Sequence, residues 1–67
     1  MMLVKIVNDE GRNRWIDPES VRLVFREDRD DSFFRVGTTV IVLHDGIEIG
    51  SKEPEDAIVT RINEELR

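Results

Sequence analysis

Residues 38–49 constrain this chain more than any other stretch. Thr38-Thr39-Val40-Ile41-Val42-Leu43 is apolar on both faces and largely β-branched, the composition of a central strand. It runs through His44-Asp45-Gly46 into Ile47-Glu48-Ile49. Asp-Gly between two apolar segments signals a tight hairpin, and the expectation is a type I′ turn, which needs positive φ at both central residues.

The rest of the chain supplies more strands of the same kind. Leu3 to Val7 is rich in β-branched residues and ends at the turn-forming cluster Asn8-Asp9-Glu10-Gly11. A second strand begins at Arg14-Trp15-Ile16-Asp17. Asp17-Pro18-Glu19-Ser20 interrupts it, because proline cannot donate a ladder hydrogen bond. Val21 to Arg26 resumes extended structure with a period of two, placing Val21, Leu23 and Phe25 on an expected core face and Arg22, Val24 and Arg26 on the other. Glu27 to Ser32 reads as a charged loop, and Phe33 to Val36 leads back through Gly37 into the central strand. After Gly50, Pro54 suits the first turn of a helix, followed by acidic Glu55 and Asp56 at its positive end. Ala57, Ile58, Val59, Ile62 and Leu66 form an apolar stripe on that helix.

The fold class predicted is therefore α+β, with residues 1–67 as a single domain: a small antiparallel β-meander of four to five strands packed by one C-terminal helix. A sheet this short can also curl into a small barrel. With 67 residues only about 60% of the unfolded chain's surface is buried on folding, which makes a lone core marginal. There is no cysteine and a single histidine, so neither disulfides nor a Cys/His zinc site supplies the missing stability. One helix covers one sheet face, yet Val40 and Val42 oppose Ile41 and Leu43, and the first strand is apolar on both sides. A second copy of the chain, or a protein partner of unknown identity, is the expected cover, and a homo-oligomer follows.

Charge narrows the partner classes. Residues 1–36 hold seven basic and eight acidic side chains, and residues 37–67 hold three and seven, for a formal charge of −5. A net negative chain is a poor default ligand for phosphate backbones, so nucleic acid is not the expected partner. The apolar N-terminal run is too short for a signal segment and no run reaches membrane-spanning length, so a cytoplasmic location without membrane contact is expected.

No phosphate-binding glycine loop, GxSxG, HExxH or EF-hand spacing is present. His44, the one imidazole, precedes a hairpin turn and reads as a solvated turn residue rather than a base. Glu27, Asp28, Asp30 and Asp31 suggest phosphate mimicry or a hard cation, but calcium loops need a turn glycine, and none occurs before Gly37. Six of the eight arginines lie between residues 12 and 35. Arg22 and Arg26, with Arg12, Arg14 and Arg35, make either a phosphate-binding stripe or a row of cross-strand ion pairs. No catalytic residue, metal ligand or cofactor is assigned. Interface candidates are Trp15, Phe33 and Phe34, with Arg22 and Arg26. Adjacent Phe33 and Phe34 point to opposite faces if extended, and Trp15 is either an interface anchor or core.

The motif order resembles the flagellar FlbD (SwrD) family of small bacterial proteins. The matching elements are Asn8 to Gly11, Asp17-Pro18-Glu19-Ser20-Val21, Thr39-Val40-Ile41-Val42-Leu43-His44-Asp45-Gly46, and Glu53 before the helix. The stretch from Glu27 to Gly37 is longer than that family's central loop, and its Pro-Asp-Thr turn is absent. The resemblance implies a non-enzymatic accessory role in bacterial motility. From the residues themselves the expected function is a small protein-interaction or regulatory module that self-associates. An acidic, phage-type mimic of nucleic acid and nucleic-acid binding through the arginines are the alternatives.

Overall fold

The Asn8 side chain explains the first reversal of the chain. Its Oδ1 accepts from the Glu10 and Arg12 amides at 3.0 and 2.8 Å, while Gly11 takes φ +82°, a region open to glycine at no steric cost. The turn pairs β1 (Val4–Val7) with β2 (Asn13–Ile16) in antiparallel register, Val4 opposite Ile16 and Ile6 opposite Arg14. The structure, a computed structural model, describes residues 2–67, and Met1 lies outside them. Asp17 then caps a single 3₁₀ turn, Pro18–Ser20, its Oδ1 accepting the Glu19 amide at 2.9 Å.

The remaining strands form an antiparallel meander: β3 (Val21–Arg26), β4 (Thr39–Leu43) and β5 (Glu48–Ser51). A helix, α1 (Glu55–Leu66), closes the chain. The five strands divide into two sheets and do not close into a barrel. The sheets are joined at their edges where β1 ends beside β5, through an Asn8–Ser51 bridge and the Asp9 amide donating to the Gly50 carbonyl at 2.9 Å. The outer edges of β2 and β3 are left without a neighbouring strand.

Two local expectations are corrected. The β4–β5 connection is not type I′, because only Gly46 has positive φ, +91°. The Gly46 amide donates to the Leu43 carbonyl, and the Leu43 amide to that of Ile47, both at 2.9 Å. This is a three-residue loop in which the glycine forms the bulge after an ordinary turn. The His44 amide, donating to the Ser20 carbonyl at 2.9 Å, holds His44 in the loop.

The core face of β3 also departs from the sequence expectation after Val21. Val24 stands opposite Ile41 and packs on the core, whereas Leu23 is 49% exposed. An irregularity between the Val21–Leu43 and Leu23–Val42 pairs leaves Arg22 as an extra residue. A bulge of this kind breaks the period of two, so Val21 and Val24 both reach the core despite their odd spacing.

Val4, Ile6, Ile16, Ile41, Ile58 and Ile62 form that core, with Val21, Val24, Leu43 and Ile49 at its margin. Each buried isoleucine contributes about 1.5 to 3 kcal/mol. The helix gives only Ile58 and Ile62; Ala57, Val59 and Leu66, expected in the stripe, are exposed.

A polar cluster holds the two sheets and the helix together. Glu53 accepts the Val7 amide at 3.1 Å through Oε2 and both Arg61 Nη groups, at 3.1 Å through Oε2 and 3.0 Å through Oε1. Arg61 Nη1 also donates to the Lys5 carbonyl at 2.8 Å. Ser51 Oγ donates to the Val7 carbonyl and Thr39 Oγ1 to the Glu53 carbonyl, both at 2.6 Å. The Arg61 hydrogen bonds, reinforced by the Val7 amide, hold the Glu53 carboxyl below its ordinary value of 4.5 and raise Arg61.

A group with a depressed folded-state pKa contributes stability above its unfolded value and loses it as pH falls through the folded one. Glu53 therefore stabilises the fold fully at neutral pH and progressively less below about pH 4.5. Glu53→Ala is expected to cost about 1 to 3 kcal/mol in urea denaturation at pH 7. The loss shrinks as the pH is lowered toward 3, and an unchanged cost across that range would contradict the assignment.

Candidate functional site

The bulge in β3 and the narrow buried stripe of α1 together leave a shallow groove between strand and helix. Val21, Leu23 and Val24 form one wall, and Val59, Ile62 and Leu66 the other, with Pro18 at its floor; its volume is about 250 Å³. Arg22 and Asn63 are the polar residues on its rim. Leu23 and Leu66 are each 49% exposed and Val59 38%. The sequence placed all three in the core, and the β3 parity and stripe width are the reasons they are not there.

The candidates named from sequence fall in four separate places. Trp15, on β2 and opposite Lys5, is 60% exposed and so is not core. Arg22 borders the groove, while Arg26 lies at the other end of β3 beside Gly37, in a cleft with Glu55 and Asp56. The two arginines thus serve different surfaces. Phe33 and Phe34 are not extended. They belong to the loop between β3 and β4, their rings meeting edge to face at 5.2 Å and 89°.

Phe34 is half-buried and Phe33 is 93% exposed. The Phe34 ring lies over Gly50, where an added Cβ would come within 2.7 Å of it. Gly50 pairs with Val40, which is fully buried although it faces away from Ile41. The chain's own loop therefore covers one end of the second sheet face.

In the acidic run one carboxylate is paired within the loop, that of Asp31 with Arg29 at 2.9 Å. Glu27 is 8% exposed, its backbone paired with Thr38 and Gly37. His44 is exposed in its loop. Among the described residues no three His, Cys, Asp or Glu side chains gather as a metal site would require, and no helix is long and apolar enough to cross a membrane. Protein-family models, curated proteins and solved structures give no match to this chain.

The Phe34–Gly50 contact is testable by coupling. Gly50→Ala is expected to destabilise the protein by about 1 to 3 kcal/mol through the enforced clash. In a Phe34→Ala background the same substitution should cost less, measured by thermal or urea unfolding, the remaining cost being that of moving the Asp9 carboxylate, 2.9 Å from the added Cβ. Additive costs would show that the ring is not what limits the space at Gly50.

Proposed function

We propose that this chain is a non-enzymatic protein-interaction module that self-associates and presents its remaining surface to another protein. One observation carries the proposal: among the described residues nine large apolar side chains are at least 38% exposed, against seven buried ones. Scattered apolar residues are ordinary on surfaces, but here Leu23, Val59 and Leu66 share one groove, and such a contiguous patch marks an interface. The size of the chain supports the same reading, since a core of this extent gains most from burying more surface in an assembly.

The role in bacterial motility rests on the motif order alone, and a cytoplasmic setting is part of the same proposal. Both nucleic-acid readings have less support. Of the carboxylates from Glu27 to Asp31, that of Asp31 is taken up by Arg29 and Glu27 is buried, and Arg22 and Arg26 border different clefts.

Light scattering across a concentration series, in moderate salt, tests the proposal. The expected result is a mass rising to a stable multiple of 7.8 kDa. A mass of 7.8 kDa at every concentration would overturn self-association and leave only a heterologous partner for the groove.

A further inference from the structure

The outer edge of β2 has no neighbouring strand, and the bonding along β1–β2 fixes which of its backbone groups are free. The Asn8 amide bonds the Arg12 carbonyl, so that pair, and Ile6–Arg14 and Val4–Ile16 beyond it, carry the ladder bonds. Asn13 and Trp15 fall between these pairs and turn their amides and carbonyls outward. Their opposite numbers on β1 show the same alternation, since the Val7 amide and the Lys5 carbonyl turn away from β2 to Glu53 and Arg61. Residues 12–16 also carry charge of one sign. Arg12 and Arg14 are exposed, and among the described residues the ion pairs are Arg29–Asp31 and Arg61–Glu53, so neither has a carboxylate partner. Of the carboxylates flanking the strand, Asp9 lies against Gly50, Asp17 accepts the Glu19 amide, and Glu10 stays in the turn.

We infer that the edge of β2 is a docking site for an extended acidic segment of another protein, added to the sheet as a further strand. Contact with another protein is part of the function proposed above, and this site rests on it. Asn13 and Trp15 each offer an amide and a carbonyl, the groups by which an added strand is held. Side chains alternate across a sheet, so Arg12 and Arg14 share one face and the exposed Trp15 lies on the other. The complementary antiparallel segment therefore reads apolar-acid-any-acid, with its apolar residue beside Trp15 and its acids opposite Arg14 and Arg12. A second copy of this chain does not fit, because β2 paired along its length with its own counterpart sets Arg14 against Arg14.

Trp15 is the one tryptophan of the chain, so its fluorescence reports on the site. The probe is the capped peptide Ser-Thr-Val-Glu-Thr-Glu-Val-Thr-Ser, with versions carrying Lys for Glu or N-methyl groups on the backbone. At low ionic strength the peptide is expected to change Trp15 emission saturably. Arg12→Glu and Arg14→Glu together weaken its binding about tenfold and bind the Lys version instead. N-methylation of the Val and Thr that flank the first Glu, whose amides face β2, abolishes binding. N-methylation of the Glu residues, whose amides face away, leaves it within about threefold. Circular dichroism checks the fold of the double variant, and the N-methylated peptides give a reading on wild-type protein even if that variant does not fold. Emission unmoved by the peptide, or binding that ignores the charge reversal or the position of the N-methyl groups, would overturn the added strand. A single-stranded oligonucleotide held more tightly than the peptide would overturn it in favour of nucleic acid. A monomer that binds the peptide supports this site and overturns self-association alone, whereas a dimer that does not bind it overturns this site alone.

Discussion

The fold depends on how one carboxylate is shared. The two sheets are joined at their edges by one backbone bridge, with the Asp9 amide on the Gly50 carbonyl and the Ser51 hydroxyl on the Val7 carbonyl beside it, and so narrow a seam leaves their relative angle to be fixed by other contacts. Glu53 does so by accepting from the Val7 amide on β1 and from Arg61 on α1 while its own carbonyl takes the Thr39 hydroxyl of β4. Such charge-assisted bonds are stronger than neutral ones. Each of these elements would otherwise have a freedom that apolar packing, which is non-directional, does not remove. Because Arg61 also holds the Lys5 carbonyl, the helix axis is set relative to β1, and the position of its free side relative to β3 follows.

That placement explains why so much apolar surface remains outside. Ile58 and Ile62 are turned onto the core by the Glu53–Arg61 anchor on one flank. Val59 and Leu66 then fall on the opposite flank, over the β3 edge, where the bulge has already turned Leu23 outward. The groove is thus a consequence of the polar anchor and the bulge acting together. On the far side of the second sheet the chain solves a similar problem internally, by laying Phe34 over Gly50.

Much of this architecture was legible in the residues. Val21–Arg26 is bounded as expected, the strands around Asp45-Gly46 pair as a hairpin, and a helix follows Pro54. These signals are local, arising from β-branching, turn chemistry and proline. What was not legible depends on contacts distant in sequence. Nothing near Arg22 announces that it is the extra residue of a bulge, because the register of β3 is decided by Ile41 and Leu43 about twenty positions away. The loop at His44 is set by the Ser20 carbonyl, and Glu53 is placed by Val7, 46 residues earlier. For the candidate site, the sequence left Trp15 open between interface and core, and left open which of Phe33 and Phe34 is outside; Trp15 and Phe33 are the exposed ones, while the groove residues were assigned to the interior. The four-three spacing of Val59, Asn63 and Leu66 was the signal in the sequence that could have separated them from Ile58 and Ile62.

Amide hydrogen exchange, followed as protein concentration is raised, tests most directly the proposal that copies meet at the exposed β3–α1 groove. The account predicts slower exchange in β3 and α1 as concentration increases, while β2, the other free edge, exchanges at a constant rate. Protection that grows in β2 or around Phe33 while β3 and α1 stay unchanged would contradict it.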